Sequence, residues 1–578
     1  MSVATVPEDE RARGARRWVA RLFWVVPLVF YGLTVSPTPG WVDAAFVARV
    51  VHQVKLTVWV NHHTLFTLVG AGWLRLMPAT MEPHYALNVL CALLASLTVY
   101  LVFRIGLRLT RNVWASALGA TVLMVSHSLW WHATMLEVYT LSTVLLSATL
   151  LFVVRFDQER HLRDLALATF TFGLACSNHP QMAFIGVGFV GLFARPEVRA
   201  RVLHAGPLLL LAGCFLLGFL PYLCVFGFEL ASRVGGSPAA TVGTVMQRML
   251  YEASGGGFKQ HMFPDGITTQ QRLFWWGYWF AWLVYNFLPP WLLVAPVGLW
   301  QWWRRRERRA SFLFFALVLA AQIVWSANYM IWDMWAFALP VYTLMGVLVI
   351  VGIAGLAERG PAWRTVILAL APTVALTPWL YARAADWASN SQWATEALER
   401  IPEFSQATAF WDPLDYFLDP NKRGYDRVER YATTILEELE PNACYWGNEA
   451  TVFYSLSFYY KDVLGRRPDV TYHLVFGILE DDRAFQRHAA KMLGQLDRGC
   501  PVYVSSLGYP ERNVLDHVYA RLDSRRSLAN VRRLSTEAFV ETFPTYSLVP
   551  IPIAPEEAAK VFKLQRRAPS SNENESER

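Results

Sequence analysis

A carboxylate placed directly after a membrane-length apolar run can take a proton from a hydroxyl at the membrane surface. Asp43 is the first such group in this chain, following the turn Pro37-Thr38-Pro39-Gly40-Trp41 at the start of a helical pattern. The same position also suits a first-turn acid that stabilises a helix N-terminus by about 1 kcal/mol. Glu137 ends the run Trp131-His132-Ala133-Thr134-Met135-Leu136-Glu137, just ahead of an apolar span. An acid at the edge of hydrocarbon is costly, so it marks either chemistry or a loop-holding ion pair, with His127 and His132 as neighbours. Asn178-His179-Pro180 interrupts an apolar stretch, either as a tight turn between helices or as a polar finger into a site shared with Asp43 and Glu137. Asp333 lies among aromatics in Tyr329–Trp335, where it is a site acid or a water-exposed loop carboxylate. Adjacent histidines diverge on a helix or strand, so His62 and His63 do not make a two-histidine metal site. We count Asp43 and Glu137 as catalytic candidates, and His63, Asn178, His179 and Asp333 as substrate-binding ones. A phosphate needs cations, and the segment 228–273 supplies Arg233, Arg248, Lys259 and Arg272 beside a mobile-flap candidate, Gly255-Gly256-Gly257. Of these, Arg248 and Lys259 join the substrate-binding set, with solvated loop charge as the plainer reading.

The elements that must hold these residues are membrane helices. Of 578 residues, 54% are hydrophobic and only 17% charged, against about 25% charged in soluble domains. About eleven spans fit at 18–36, 84–104, 112–129, 138–155, 164–178, 181–194, 205–227, 274–302, 311–327, 337–355 and 364–381. Every second loop is basic, from Arg11–Arg17 through Arg104–Arg111 and Arg155–Arg163 to Arg304–Arg309. One topology puts all of them in the cytoplasm, which sends the candidate residues and everything after about 382 to the far side. The same placement of the arginines turns the net charge of +7 away from nucleic acid. Residues 1–17 read as a cytoplasmic leader, 18–381 as the membrane domain, 382–568 as an extracytoplasmic soluble α/β domain, and 569–578 as a disordered tail. Within the soluble part, Val470–Phe476 and Pro501–Ser505 alternate like strands and Arg427–Leu439 like a helix. Segment 37–83 holds two apolar pieces, 44–60 and 64–77, suited to lying along the interface; the second as a true span would invert the later topology, which the basic loops argue against. Cys444 and Cys500 can pair if their domain is extracytoplasmic. No Cys/His spacing indicates zinc, and a divalent metal requirement is left open.

Several segments together resemble a large membrane family of the glycosyltransferase-C fold, long listed as a domain of unknown function, which includes a eukaryotic protein O-mannosyltransferase. They are the first helix with its Pro-rich turn and Trp41-Val42-Asp43; Trp131 to Leu141; Gly173 to Gln181; Tyr329 to Tyr342 with Asp333 and Leu339-Pro340; Pro441-Asn442-Ala443; and Gly465 to Val470. Their order is also similar. Where the family has Asp-Ser-Gly-Glu this chain has Asp43-Ala44-Ala45-Phe46, and its His-Pro-Pro-Gly segment falls near Asn61-His62-His63-Thr64. The resemblance implies a glycosyltransferase of about eleven spans, mannosyltransferase-like, in a bacterial inner membrane. It would move sugar from a polyprenyl-phosphate donor to a protein or glycan hydroxyl outside the cytoplasm, inverting the anomeric centre with Asp43 as base. Its partners would be that lipid-linked donor, the acceptor and membrane lipids. Two other classes stay open: a transporter or flippase of a lipid-linked substrate, and a non-catalytic envelope scaffold. Against the transporter, the sequence shows no internal symmetry and its acids gather at one face.

Overall fold

The apolar runs fold as helices in the computed structural model, which describes residues 10–41, 43–57, 62–232, 238–264, 266–331, 333–398, 413–447, 454–474, 482–505, 545–550 and 561–566. Asn61, Arg233, the first nine residues and the tail after 566 lie outside them. Six helices are long and apolar enough to cross a membrane: Pro83–Thr110, Tyr139–Glu159, Ala205–Ala231, Arg306–Asn328, Leu339–Glu358 and Pro361–Asn390. Two bent pairs raise that number to eight, Val113–Met124 with His127–Thr134 at 62° and Thr269–Asn286 with Pro289–Arg304 at 99°. Apolar helices at Trp18–Thr34 and Pro180–Phe193, with Leu162–Asn178, occupy the remaining expected spans. The protein is an integral membrane protein.

The chain divides into two compact units. The first comprises residues 1–37, 50–386 and 418–424. Its innermost helix is Leu339–Glu358, whose apolar window is 100% buried, whereas Ala205–Ala231 and Pro361–Asn390 are only 17% and 22% buried. The last two therefore present apolar sides to lipid, where a bare Leu face costs nothing. Helix ends follow the local sequence. Arg111 adopts a left-handed conformation at φ 57° and stops Pro83–Thr110, and Asn112 caps the next helix by accepting from Ala115 N at 3.0 Å. Arg160 ends Tyr139–Glu159 in the same way. In the basic loops the acids are held: Asp157 accepts from Ser311 N and Oγ at 3.0 and 2.7 Å, and Arg155 pairs with Asp164 at 2.9 Å.

The two bends are joined. Asn286 accepts from Ser128 N at 2.7 Å and donates to Ser128 Oγ at 2.9 Å. A helix broken at membrane depth frees backbone groups, and side-chain amides of neighbouring breaks are what satisfy them. Residues 228–273 correct an expectation. They are not a loop, because the Ala205–Ser232 helix runs on into them and Pro238–Ala253 is a further helix, followed by a 3-10 turn at Gly256–His261. Apolar residues at helical spacing (Val242, Val245, Met246, Met249) carry that helix, and the flanking Pro and Gly residues hid it. Of the expected interfacial pieces, one forms Asp43–His52 and the other Thr64–Leu76. At 13 residues the latter rises about 20 Å, short of the ~30 Å hydrocarbon core.

The second unit comprises residues 38–49, 387–417 and 425–578. Its five-stranded sheet runs β2-β1-β3-β5-β4, with β1 Cys444–Gly447, β2 Thr471–Leu474, β3 Val502–Ser505, β4 Tyr546–Pro550 and β5 Val561–Arg566. β1 pairs parallel to β2 and β3, while β3–β5 and β4–β5 are antiparallel. Strands expected at 470–476 and 501–505 and the helix expected at 427–439 are present as β2, β3 and Arg427–Glu438. Cys444 and Cys500 lie side by side where β1 begins beside β3. The short early segment is stitched into this unit. Thr38 Oγ1 donates to Tyr425 O at 2.7 Å, and Trp41 Nε1 to Tyr425 Oη at 2.6 Å.

Candidate active site

Asp43 is the first residue of Asp43–His52 in the second unit. The residue is exposed, yet burial pushes its carboxyl up to about 6. Protein crowds the group and thins the water around it, which favours the neutral carboxyl. Behind it Ala44 and Ala45 are buried, so their small side chains let the helix pack closely. Phe46, at the place of the family's second acid, has its ring 6.5 Å from Tyr454 and 6.1 Å from Phe458. One turn on, Arg49 Nε pairs with Asp462 Oδ2 at 2.8 Å while its guanidinium lies over Phe458 at 4.4 Å. An aromatic contact and an ion pair thus fix the helix that carries Asp43.

In the first unit, segments far apart in sequence meet. Leu162–Asn178 ends with His179 in extended conformation, and Pro180 starts a 3-10 turn, so the bland reading of this motif as a helix-to-helix turn is correct. The turn also holds a polar cluster. Asn178 Nδ2 donates to Val138 O at 3.2 Å and to Ser142 Oγ at 2.8 Å, and its carbonyl contacts His63 Nδ1 at 3.2 Å. His63 and His179 stack with ring centroids 5.1 Å apart. Tyr139 and Phe337 flank His179 at 5.5 and 5.8 Å and meet each other at 5.3 Å. His63, Asn178 and His179 are therefore brought together, beside the end of the segment that contains Asp333.

Glu137 is half-buried just before Tyr139–Glu159, and its backbone N and O both contact Cys91 Sγ, at 3.4 and 3.3 Å. Asp333 directly precedes the short Met334–Phe337 helix, and its carbonyl accepts from Ala336 N at 2.9 Å. Lys259 is exposed on the 3-10 turn whose end pairs with the Asp333 segment: Met330 N donates to His261 O at 2.9 Å and Phe263 N to Asn328 O at 3.2 Å. Arg248 sits on Pro238–Ala253. His127 lies within an aromatic cage of Trp282, Tyr285, Trp335 and Tyr381, and His132 contacts Ser128 O at 2.6 Å through Nδ1. Among the described residues no three His, Cys, Asp or Glu side chains gather as a metal site.

Two residues escape sequence reading. Gln181 donates to Phe337 O at 2.7 Å and to Gln322 Oε1 at 2.8 Å, tying the histidine turn to the Asp333 segment. Its presence in Asn-His-Pro-Gln is the only signal. Tyr139 lies inside the Trp131 to Leu141 segment, and nothing local tells that its ring meets His179.

Residues 53–195 match the family model described as protein O-mannosyl-transferase TMEM260 N-terminal domain. No curated protein sequence matches significantly. Among solved structures, ArnT from Cupriavidus metallidurans bound to undecaprenyl phosphate is 14% identical, with a TM-score of 0.57, covering 95% of this chain and 98% of that one. The apo form of the same protein gives 14% identity and a TM-score of 0.54 over the same shares. The oligosaccharyltransferase of Archaeoglobus fulgidus in complex with zinc and sulfate is 12% identical, covering 84% of this chain and 68% of that one, with a TM-score of 0.45. Helical architecture and the likeness to ArnT over nearly the whole length show a membrane fold of the glycosyltransferase-C type, and residues 53–195 are similar to the O-mannosyl-transferase family model.

Proposed function

We propose that this protein transfers a sugar from a polyprenyl-phosphate donor to a hydroxyl of a protein or glycan on the extracytoplasmic side, with inversion. Asp43 is the base. The acceptor oxygen attacks the anomeric carbon, its proton passes to the Asp43 carboxylate, and the bond to phosphate breaks with the electron pair leaving on the lipid phosphate. The observation that carries this reading is Asp43 itself, an exposed acid whose carboxyl is pushed up to about 6. A base of that pKa is ionised at neutral pH and far better at taking a proton than an ordinary aspartate. The likeness to a protein crystallised with undecaprenyl phosphate supports a lipid-phosphate donor. Arg248 and Lys259 are the cations assigned to the phosphate, and Glu137 and Asp333 are carried as further candidates. The membrane part, residues 18–381, holds donor; the soluble part, 382–568, takes the acceptor outside a bacterial inner membrane.

The test uses purified full-length protein, radiolabelled polyprenyl-phosphate sugars and membrane extract as acceptor. Wild-type transfer that Asp43→Asn abolishes, with donor binding retained, supports the reading. Undiminished transfer by Asp43→Asn overturns the base assignment, and donor binding without turnover in the wild type favours a scaffold.

A further inference from the structure

We propose that His63 and His179 form a neutral donor–acceptor pair that grips ring hydroxyls of the transferred sugar or its glycan acceptor, rather than phosphate or metal. This rests on the transferase reading. Each ring has one nitrogen committed to the backbone, and the two commitments have opposite senses. His63 Nδ1 faces Asn178 O at 3.2 Å. A carbonyl only accepts, so that nitrogen carries the proton and Nε2 is left as a bare acceptor. His179 Nδ1 accepts from Gln181 N at 3.2 Å. It is therefore unprotonated, and Nε2–H is left as a donor.

A hydroxyl is both donor and acceptor, and this pair offers one of each. Burial lowers both basicities, that of His63 to about 4 and that of His179 well below its ordinary value, so neither ring is charged at neutral pH. A neutral pair has no charge with which to hold a phosphate dianion. A metal ion needs a lone pair from each ring on its own side, and the remaining nitrogen of His179 bears a proton instead. The surroundings fit a sugar as well. Tyr139 and Phe337 stand against His179, so the pair has the aromatic border common in sugar sites. The pair is also built rigidly. His63 is held at φ 31°, a left-handed conformation uncommon outside glycine, and Asn178 is pinned by Val138 O and Ser142 Oγ. His63 keeps part of its surface open, so a ligand can reach it.

The experiment exploits two replacements. Asn places its amide near Nδ1 and so keeps each backbone contact while deleting the outward group; Gln places its amide near Nε2. Full-length wild type and His63→Asn, His63→Gln, His179→Asn and His179→Gln are compared for affinity towards undecaprenyl phosphate and an undecaprenyl-phosphate hexose, and for acceptor KM. The Asn variants should lose about 10- to 100-fold in affinity for the glycosylated lipid, or in acceptor KM if the hydroxyl belongs to the acceptor, with bare lipid phosphate unchanged. The Gln variants should recover part of the loss. Should an Asn variant fail to fold, wild type given single-deoxy donors and acceptors must show a comparable loss at one position. Equal loss for bare and glycosylated lipid, or no loss with any deoxy compound, overturns the pair's role. A wild type that transfers nothing overturns the underlying reading instead.

Discussion

At the scale of the residue, the raised carboxyl of Asp43 fixes a pH signature. A base must be ionised, and a carboxyl at about 6 is protonated below that value. Turnover should fall roughly tenfold per pH unit below 6 and level off above it, which a pH profile of kcat/KM reads directly. The raised value carries a second consequence. The charged form is the strained one, so Asp43 costs folding stability once the pH passes its ordinary value near 4, and the cost is fully present above about 6. Asp43→Asn should therefore abolish transfer while its Tm at pH 7.5 equals or exceeds that of wild type. A variant inactive because it is unfolded would show the opposite Tm shift. Arg467 makes the complementary case. It donates to the carbonyls of Leu436, Leu439 and Glu440 at 2.6, 2.7 and 2.8 Å and to Asp469 at 2.9 Å, which holds that carboxyl well below the usual range. A lysine cannot reproduce that fork, so Arg467→Lys should cost the second unit about 1–3 kcal/mol in denaturant titration. The Asp469 contribution is present above its ordinary pKa and is lost on acidification, so the gap between wild type and Arg467→Lys should narrow at low pH to the part owed to the carbonyls.

At the scale of the element, two glycines hold the histidine turn in place. A Cβ on Gly173 would run into Phe215 O, and one on Gly218 into Phe170 O, so Leu162–Asn178 and Ala205–Ser232 touch backbone to backbone. Ser177 Oγ bonds to Gly218 O at 3.2 Å at the end of that contact, next to Asn178. Gly218→Ala should lower the Tm and weaken glycosylated-donor binding together, whereas an alanine at Gly213, which has open space, should change neither. Elements of this kind were largely legible: the spans, the interfacial pieces, and the strands at 471–474 and 502–505 all follow from apolar runs and alternation. The 238–253 helix was not, because its Pro and Gly borders look like loop chemistry. Nor was the stacking of His63 on His179, since a contact between residues so far apart in the chain has no local signal and depends on the glycine packing and on Asn178. Gln181 stayed invisible for the same reason.

At the scale of the whole molecule, the alternating basic loops predict one orientation. Single cysteines in place of Arg306 and of Ser391, on a background lacking native cysteines, should react with a membrane-impermeant maleimide from opposite sides of sealed vesicles. Labelling of both from one side would overturn the topology. The division into units carries a further consequence, for time. Trp41 and its hydrogen-bond partner Tyr425 are 384 residues apart in the chain. At about 5–20 residues per second of synthesis, the early segment waits roughly 20–80 s before the residues it packs against exist. Until residue 387 is made, Trp41 and the first turn of the base-bearing helix have none of the rest of their own unit to fold against. A nascent chain stalled before that point is therefore a membrane bundle with its catalytic candidate still unplaced. The protein gains its proposed base only when its last third has emerged.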